Sequence, residues 1–266
     1  LIDTVSKSDM NLEQQHSIPQ FPIPPTILAL FLGIEGLLSV IANGKYDSAI
    51  VLSKSKSMAA NTFNLCFLIN AVFSLLILIV LLLGSHSILS MLHYESLEGV
   101  IYYLPFFVFI VAFAQASIFW FNYNKRFALT ARYTLWQGLI NNGLKVGSGF
   151  LKAGLMGLVW ANLSSHFISI LSCFTRKETW NQLFHFNKKE ILAAASEHRK
   201  FPLYTLPHTF INMVSGNLPI LLLSGYFGMA EIGLFSMGIT IGFRPINLLS
   251  TSLDQVISQS MAERIN

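Results

Sequence analysis

Charged side chains are scarce in this chain: Asp, Glu, Lys and Arg make up 11% of its 266 residues, against the roughly 25% usual in soluble domains. That deficit excludes an ordinary water-soluble globule, and the 53% of hydrophobic residues and mean hydropathy of +0.57 agree. Cysteine is nearly absent too. Cys66 and Cys173 stand in or beside apolar stretches with no CxxC or Cys/His spacing, which argues against a disulfide framework or a zinc site and leaves two small apolar thiols. Catalytic signatures are missing: there is no GxSxG, HExxH or DxD, no Gly-rich phosphate loop with Lys and Ser/Thr, and no facing pair of acids in a loop. No catalysis, cofactor or metal is therefore expected. The formal charge of +4 resides in short loops between apolar runs, where cations set membrane orientation rather than follow a nucleic-acid backbone, so no nucleic-acid partner is expected.

What the chain has instead is long apolar runs. Phe63 to Gly84 carries no charged side chain, and Leu75 to Leu83 is composed only of Leu, Ile and Val. At about 1.5 Å rise per residue such a run crosses the roughly 30 Å hydrocarbon core of a bilayer. Seven spans are predicted, at about residues 26–43, 63–84, 101–121, 133–151, 153–173, 203–226 and 231–252. The fold class is then all-α, a polytopic transmembrane helix bundle. Residues 1–25 form a polar leader, expected to be poorly ordered, whose Pro24 and Pro25 pre-set entry into the first helix. Five spans occupy 26–173, a linker 174–202, and two further spans with an exit 203–266. The linker mixes Trp180, Leu183, Phe184, Phe186, Ile191 and Leu192 with charges, as a short amphipathic helix on the inner surface would.

Lys and Arg concentrate in alternate loops. Lys45, Lys54 and Lys56, then Lys125, Arg126 and Arg132, then the cations of 174–202 mark the cytoplasmic side; Glu95, Glu98 and Glu231 fall on the other, with Lys152 the exception. This places the N-terminus outside and suggests that a preceding helix is missing. Histidines are scattered. His86 and His93 share a loop with Glu95 and Glu98, where an ordinary polar surface is the plainer reading than a metal or acid–base site, and His166 inside the fifth span reads as an interhelical hydrogen bonder.

Ionisable residues within spans are more informative, because each costs several kcal/mol unless it meets a partner or a wet cavity. Glu35 in span one, Lys145 in span four and Arg244 in span seven qualify. Pointing inward, they give a polar, on balance positive interior suited to a phosphate-bearing substrate; alternatively, Lys145 and Arg244 snorkel to a headgroup layer. Span four also holds Gln137, Asn141 and Asn142, and so turns one face to protein or water. Pro202, Pro207, Gly216 and Pro219 interrupt span six, either flexing around a cavity or fixing a kink. Gly143 and Gly147 form a GxxxG, with Gly154 and Gly157 close behind, a pattern of close helix packing.

Two segments point to a family. Tyr46-Asp47-Ser48-Ala49-Ile50-Val51-Leu52 resembles the Y-E-x-A-I-x-L-P segment of bacterial polysaccharide-repeat flippases, with Ser53 where that motif has proline. Phe201-Pro202-Leu203-Tyr204, Pro207, Asn212, Ser215, Leu218-Pro219-Ile220-Leu221-Leu222, Phe227-Gly228 and Gly233-Leu234-Phe235 resemble the start of that family's second lobe, and Arg244-Pro245, Gln255-Val256 and Ala262-Glu263 its next helix and exit. The resemblance runs over about residues 27–264. It implies a two-lobe exporter of the multidrug/oligosaccharidyl-lipid/polysaccharide superfamily, multi-pass in the bacterial inner membrane, that moves an undecaprenyl-pyrophosphate-linked oligosaccharide between leaflets. The implied partners are the lipid-linked oligosaccharide, membrane lipid, and polysaccharide polymerase and chain-length machinery. The family's first helix is replaced here by the polar leader and its second lobe stops after two helices, so an incomplete member is expected. Glu35, Arg132, Lys145 and Arg244 are the candidate cavity residues, the cations meeting pyrophosphate with Arg132 near the inner mouth, and the acid coupling to a cation gradient. The competing readings are a membrane-embedded glycan polymerase or acyltransferase, for which the loop at 85–100 is short and lacks Arg, and a fragment that folds without transporting.

Overall fold

The computed structural model describes residues 25–91, 98–174 and 187–224, with isolated positions between 238 and 257. The leader, the linker up to residue 186, most of the predicted seventh span and the loop residues His93 and Glu95 lie outside the described residues. Among the described residues the fold is all helical, without a strand.

Helix α1 (Pro25–Ala42) opens on a proline, whose fixed φ and missing N–H suit a first turn that has no partner for that N–H. It is closed by Gly44 and Lys45, both left-handed at φ 56° and 59°, which turn the chain into the short α2 (Tyr46–Val51). Only glycine adopts such a φ without cost, so the turn sits where the sequence supplies one. Helix α3 (Lys56–Met91) follows, then one turn, α4 (Glu98–Ile101), and α5 (Leu104–Tyr123). A left-handed Lys125 joins α5 to α6 (Phe127–Phe150), and Lys152 with Gly154 joins α6 to α7 (Gly154–Cys173) as a tight hairpin. After the gap come α8 (Lys188–Glu197), a π turn (Phe201–Thr205) and α9 (Leu206–Ser224).

Two boundaries depart from expectation. The second span was expected over 63–84, but α3 begins at Lys56 and runs to Met91, so most of the anticipated loop at 44–62 is helical. Likewise α6 starts at Phe127, which moves Arg132 from the predicted loop to within a helix. Apolar run length marks where lipid lies, whereas helices continue on hydrogen bonds through polar residues into the headgroup layer and beyond.

Among the described residues three helices are long and apolar enough to cross a membrane: Lys56–Gly84, Leu104–Tyr123 and Met156–Cys173. Of their apolar windows 61% is buried in α5 and 22% in α3. Thus α5 is the central post, packed against α1, α2, α3, α6 and α7, and α3 presents Val72, Leu75, Leu82 and Leu83 outward. The interior divides along the bundle. One cluster joins Tyr46, Ile50, Phe63, Trp120, Phe121, Phe174 and Ile191; the other joins Phe31, Leu81, Ile101, Leu104, Phe107 and Val159. Edge-on rings lock both, Phe31 on Phe107 at 5.2 Å and Phe63 on Phe113 at 5.8 Å. Lipid tails are as apolar as leucine, so such close packing and interhelical hydrogen bonds hold membrane helices together.

The glycines separate into two kinds. A Cβ on Gly157 would lie 2.7 Å from the Ala153 Cβ and 2.8 Å from the Ser148 Cβ, so this residue permits the α6–α7 approach. Gly143 and Gly147, expected to mark close packing, meet nothing within 4 Å among the described residues.

Candidate functional site

Polar side chains recur at helical spacing on the buried side of α1. Glu35, Ser39 and Asn43 follow one another at i, i+4 and i+8, and all are buried. Ser39 Oγ donates to Glu35 Oε1 at 2.7 Å, and Asn43 Nδ2 donates to the Ala112 carbonyl of α5 at 2.7 Å. A neighbouring pair lies across the hairpin: the Tyr133 hydroxyl of α6 and His166 Nδ1 of α7 are hydrogen-bonded at 2.7 Å. The pairs Glu35–Ser39 and Tyr133–His166 thus put a carboxyl group, two hydroxyls and an imidazole on α1, α6 and α7 of the bundle. Each of these groups has a hydrogen-bond partner on the protein, as a medium that supplies no others requires.

The expected site residues separate. Glu35 is buried on α1, and its hydrogen-bond partner is Ser39. Arg132 is half-buried on α6, and its Nη2 donates to the Ser172 carbonyl in the last turn of α7. A cation there satisfies a carbonyl left over at a helix end and complements the negative end of the dipole, so in this arrangement Arg132 braces the hairpin. Its Nε is buried with no partner among the described residues, which leaves one donor in reserve. Lys145 is half-buried on α6 in line with Gln137, Asn141 and Ser148, at spacings of eight, four and three residues. Asn141 Oδ1, on that stripe, is buried with no partner among the described residues. Arg244 lies outside the described residues.

His166 is the interhelical hydrogen bonder anticipated, but Tyr133 went unnoticed, as did the asparagines. Asn70 Nδ2 donates from α3 to the Phe109 carbonyl of α5 at 2.9 Å, and Thr130 Oγ1 to Asn122 Oδ1 at 2.9 Å. The available signal was position: Asn64 and Asn70 are uncharged polar residues deep in an apolar run, where polar side chains occur chiefly to bond another helix.

A second constellation fixes the linker. Asn187 caps α8, accepting from the Lys189 N–H at 3.2 Å and donating to Glu190 at 3.0 Å; Glu190 in the first turn favours the helix dipole. Ile191 and Ala194 are buried. Around them Asn61 donates to Glu190 at 2.7 Å, Tyr46 to the Ala195 carbonyl at 3.3 Å, and Lys54 pairs with Glu197 at 3.2 Å. His198 is buried with Nε2 3.5 Å from Ser53 Oγ and edge-on to Phe201, the first residue of the π turn. Burial, assisted by Lys54 and opposed by Glu197, pulls the His198 pKa below the usual histidine value. The predicted amphipathic helix is thus present over 188–197, with Ile191 and Ala194 buried against the bundle and Leu192 exposed.

A family model described as a polysaccharide biosynthesis protein matches residues 27–265. No curated protein and no solved structure matches the chain.

Proposed function

The chain belongs to the polysaccharide biosynthesis protein family, and we propose that within it the protein is a transporter, carrying an undecaprenyl-pyrophosphate-linked oligosaccharide repeat unit across the bacterial inner membrane. The observation that carries this reading is the two polar pairs, Glu35 with Ser39 and Tyr133 with His166, set into a bundle whose outside is apolar. Burying such groups opposes stability unless they pair with one another or face a wet cavity, and a carboxyl group with a single serine partner keeps acceptor capacity for a solute. The Lys145 stripe, with Gln137 and Asn141, lengthens the polar path along α6 and adds a cation for phosphate.

In this reading α1 to α7 are the first lobe and α9 begins the second. The seam between them runs where Met213 Cε lies 3.2 Å from the place a Gly36 Cβ would occupy. A glycine there lets α9 lie close on α1 and leave again, as alternating access requires. Cytoplasmic ends at α2 and α8, multi-pass insertion, and cooperation with polymerase and chain-length machinery belong to the same proposal. No chemical step on the sugar is part of it.

Deleting the gene in the cell that carries it tests the proposal. Lipid-linked repeat units should accumulate on the inner leaflet, reached by a glycan-specific lectin only after permeabilisation. The wild-type gene should clear them, whereas Glu35→Gln or Lys145→Ala should clear them at least about tenfold less well at equal membrane levels. Single repeats at the cell surface would instead indicate a polymerase, and unchanged surface polysaccharide in the deletion strain would refute transport.

A further inference from the structure

We infer that α8 and the π turn form a docking face for anionic lipid headgroups, so that the linker is held between the bundle and the membrane surface. The inference rests on the bundle lying in a membrane and not on what it transports.

The charges of this segment are sorted by side. Its two acids are both engaged toward the protein, Glu190 with Asn61 and Asn187, Glu197 with Lys54. Its four cations, Lys188, Lys189, Arg199 and Lys200, are all exposed, and among the described residues none pairs with a carboxylate. Helical spacing puts Lys189 opposite Ile191 and Ala194, which face the bundle, with Leu192 on the flank between them. Leu192 is 60% exposed, Leu203 63% and Tyr204 70%. Apolar side chains beside unpaired cations suit one kind of partner: leucines and tyrosine enter the boundary of the acyl region while lysine and arginine reach phosphates. A soluble acidic protein would match the cations but leave the leucines in water.

Location supports the same occupant. The segment docks on α2 and the first turns of α3, the end of the bundle that also carries Lys45, Lys54, Lys56, Lys125 and Arg126. Cations gather on the side of a membrane where anionic lipid is presented to them. The acids facing inward and the cations facing outward thus perform two separate tasks, tying α8 to the protein and tying the protein's edge to the headgroup layer.

The test uses the full chain bearing Leu192→Cys, labelled with an environment-sensitive fluorophore and reconstituted into nanodiscs. Cys66 and Cys173 are buried, so the unsubstituted chain sets the labelling background. Discs are made of phosphatidylcholine alone or mixed with phosphatidylglycerol. Spin-labelled headgroups should quench the dye at least about twice as strongly in the anionic discs, and added salt should remove the excess. Combining Lys188→Gln, Lys189→Gln, Arg199→Gln and Lys200→Gln should also abolish it; if that variant does not fold, the comparison of lipids and salt decides alone. Equal quenching in the two lipids overturns the inference. So does full protection of the dye from aqueous acrylamide in detergent without phospholipid, which would place a protein surface over Leu192.

Discussion

Replacing Gly157 by alanine should push α6 and α7 apart. The added Cβ would lie 2.7 Å from the Ala153 Cβ and 2.8 Å from the Ser148 Cβ, about 1 Å inside ordinary carbon–carbon contact. Ala153 is one helical turn away in the same segment and cannot retreat, so Ser148 and the end of α6 must move. Overpacking of this kind costs about 1–3 kcal/mol, from which about 1 kcal/mol is recovered because alanine is the better helix former. Gly143→Ala supplies the control: it gains the same helix preference, and its Cβ meets nothing within 4 Å. Propensity then cancels in the comparison, leaving the packing term of about 1–3 kcal/mol between the two variants. Thermal unfolding in detergent, followed by circular dichroism, should place Gly157→Ala below Gly143→Ala by several degrees, at about 2–4 °C per kcal/mol. Equal midpoints, or Gly143→Ala as the less stable variant, would refute the reasoning and place a helix against the open glycine face.

Three further outcomes follow from the same structure. Burial holds the folded His198 pKa below the ordinary histidine value of about 6.5, so the unfolded chain binds more protons as pH falls below that value; docking of α8 should be fully stable above it and weaken below it, which hydrogen exchange of the α8 amides across pH 5–8 would show and His198→Gln would flatten. Asn70→Leu removes the bond to the Phe109 carbonyl and the acceptor for Ser74, and should cost about 0.6–1.7 kcal/mol in a denaturant titration; Asn142→Leu, whose amide reaches only Gly138 in its own helix, should change stability by under about 0.5 kcal/mol. Cysteines at Ser55 and Ser96 should label oppositely with an impermeant thiol reagent in intact cells, since Lys45, Lys54 and Lys56 mark one side and Glu95 and Glu98 the other; equal labelling would sink the orientation.

Helix existence was legible in the sequence because lipid imposes one requirement, an apolar run of a given length, and α3, α5 and α7 meet it openly. Helix ends were not, since nothing in the run from Lys56 to Thr62 is apolar enough to announce that α3 has begun. Glu35 stood out because a charge in a span is expensive. Tyr133 did not, because tyrosine is common near span ends and only the fold brings it to His166. Arg132 shows the opposite limit: its charge drew attention, but its bond to Ser172 depends on how the hairpin closes, which spacing along one helix does not specify. The glycines make the same point, for Gly143-x-x-x-Gly147 has the packing pattern and Gly157, outside it, has the contact.

Helix α3 is 36 residues long, about 54 Å at 1.5 Å per residue, and so exceeds the roughly 40–45 Å bilayer including its headgroups. Set upright, one stiff rod of this length would emerge from both faces of the membrane. Near one end Asn61 grips α8, and the other end finishes at Met91, some 45 Å further on. A rod pivoting against α5 swings its two ends in opposite senses, so a few degrees of tilt moves each end by about 1–2 Å. Hydrophobic mismatch biases that tilt, which makes the two ends of the bundle responsive, through a single lever, to the lipid in which it is embedded.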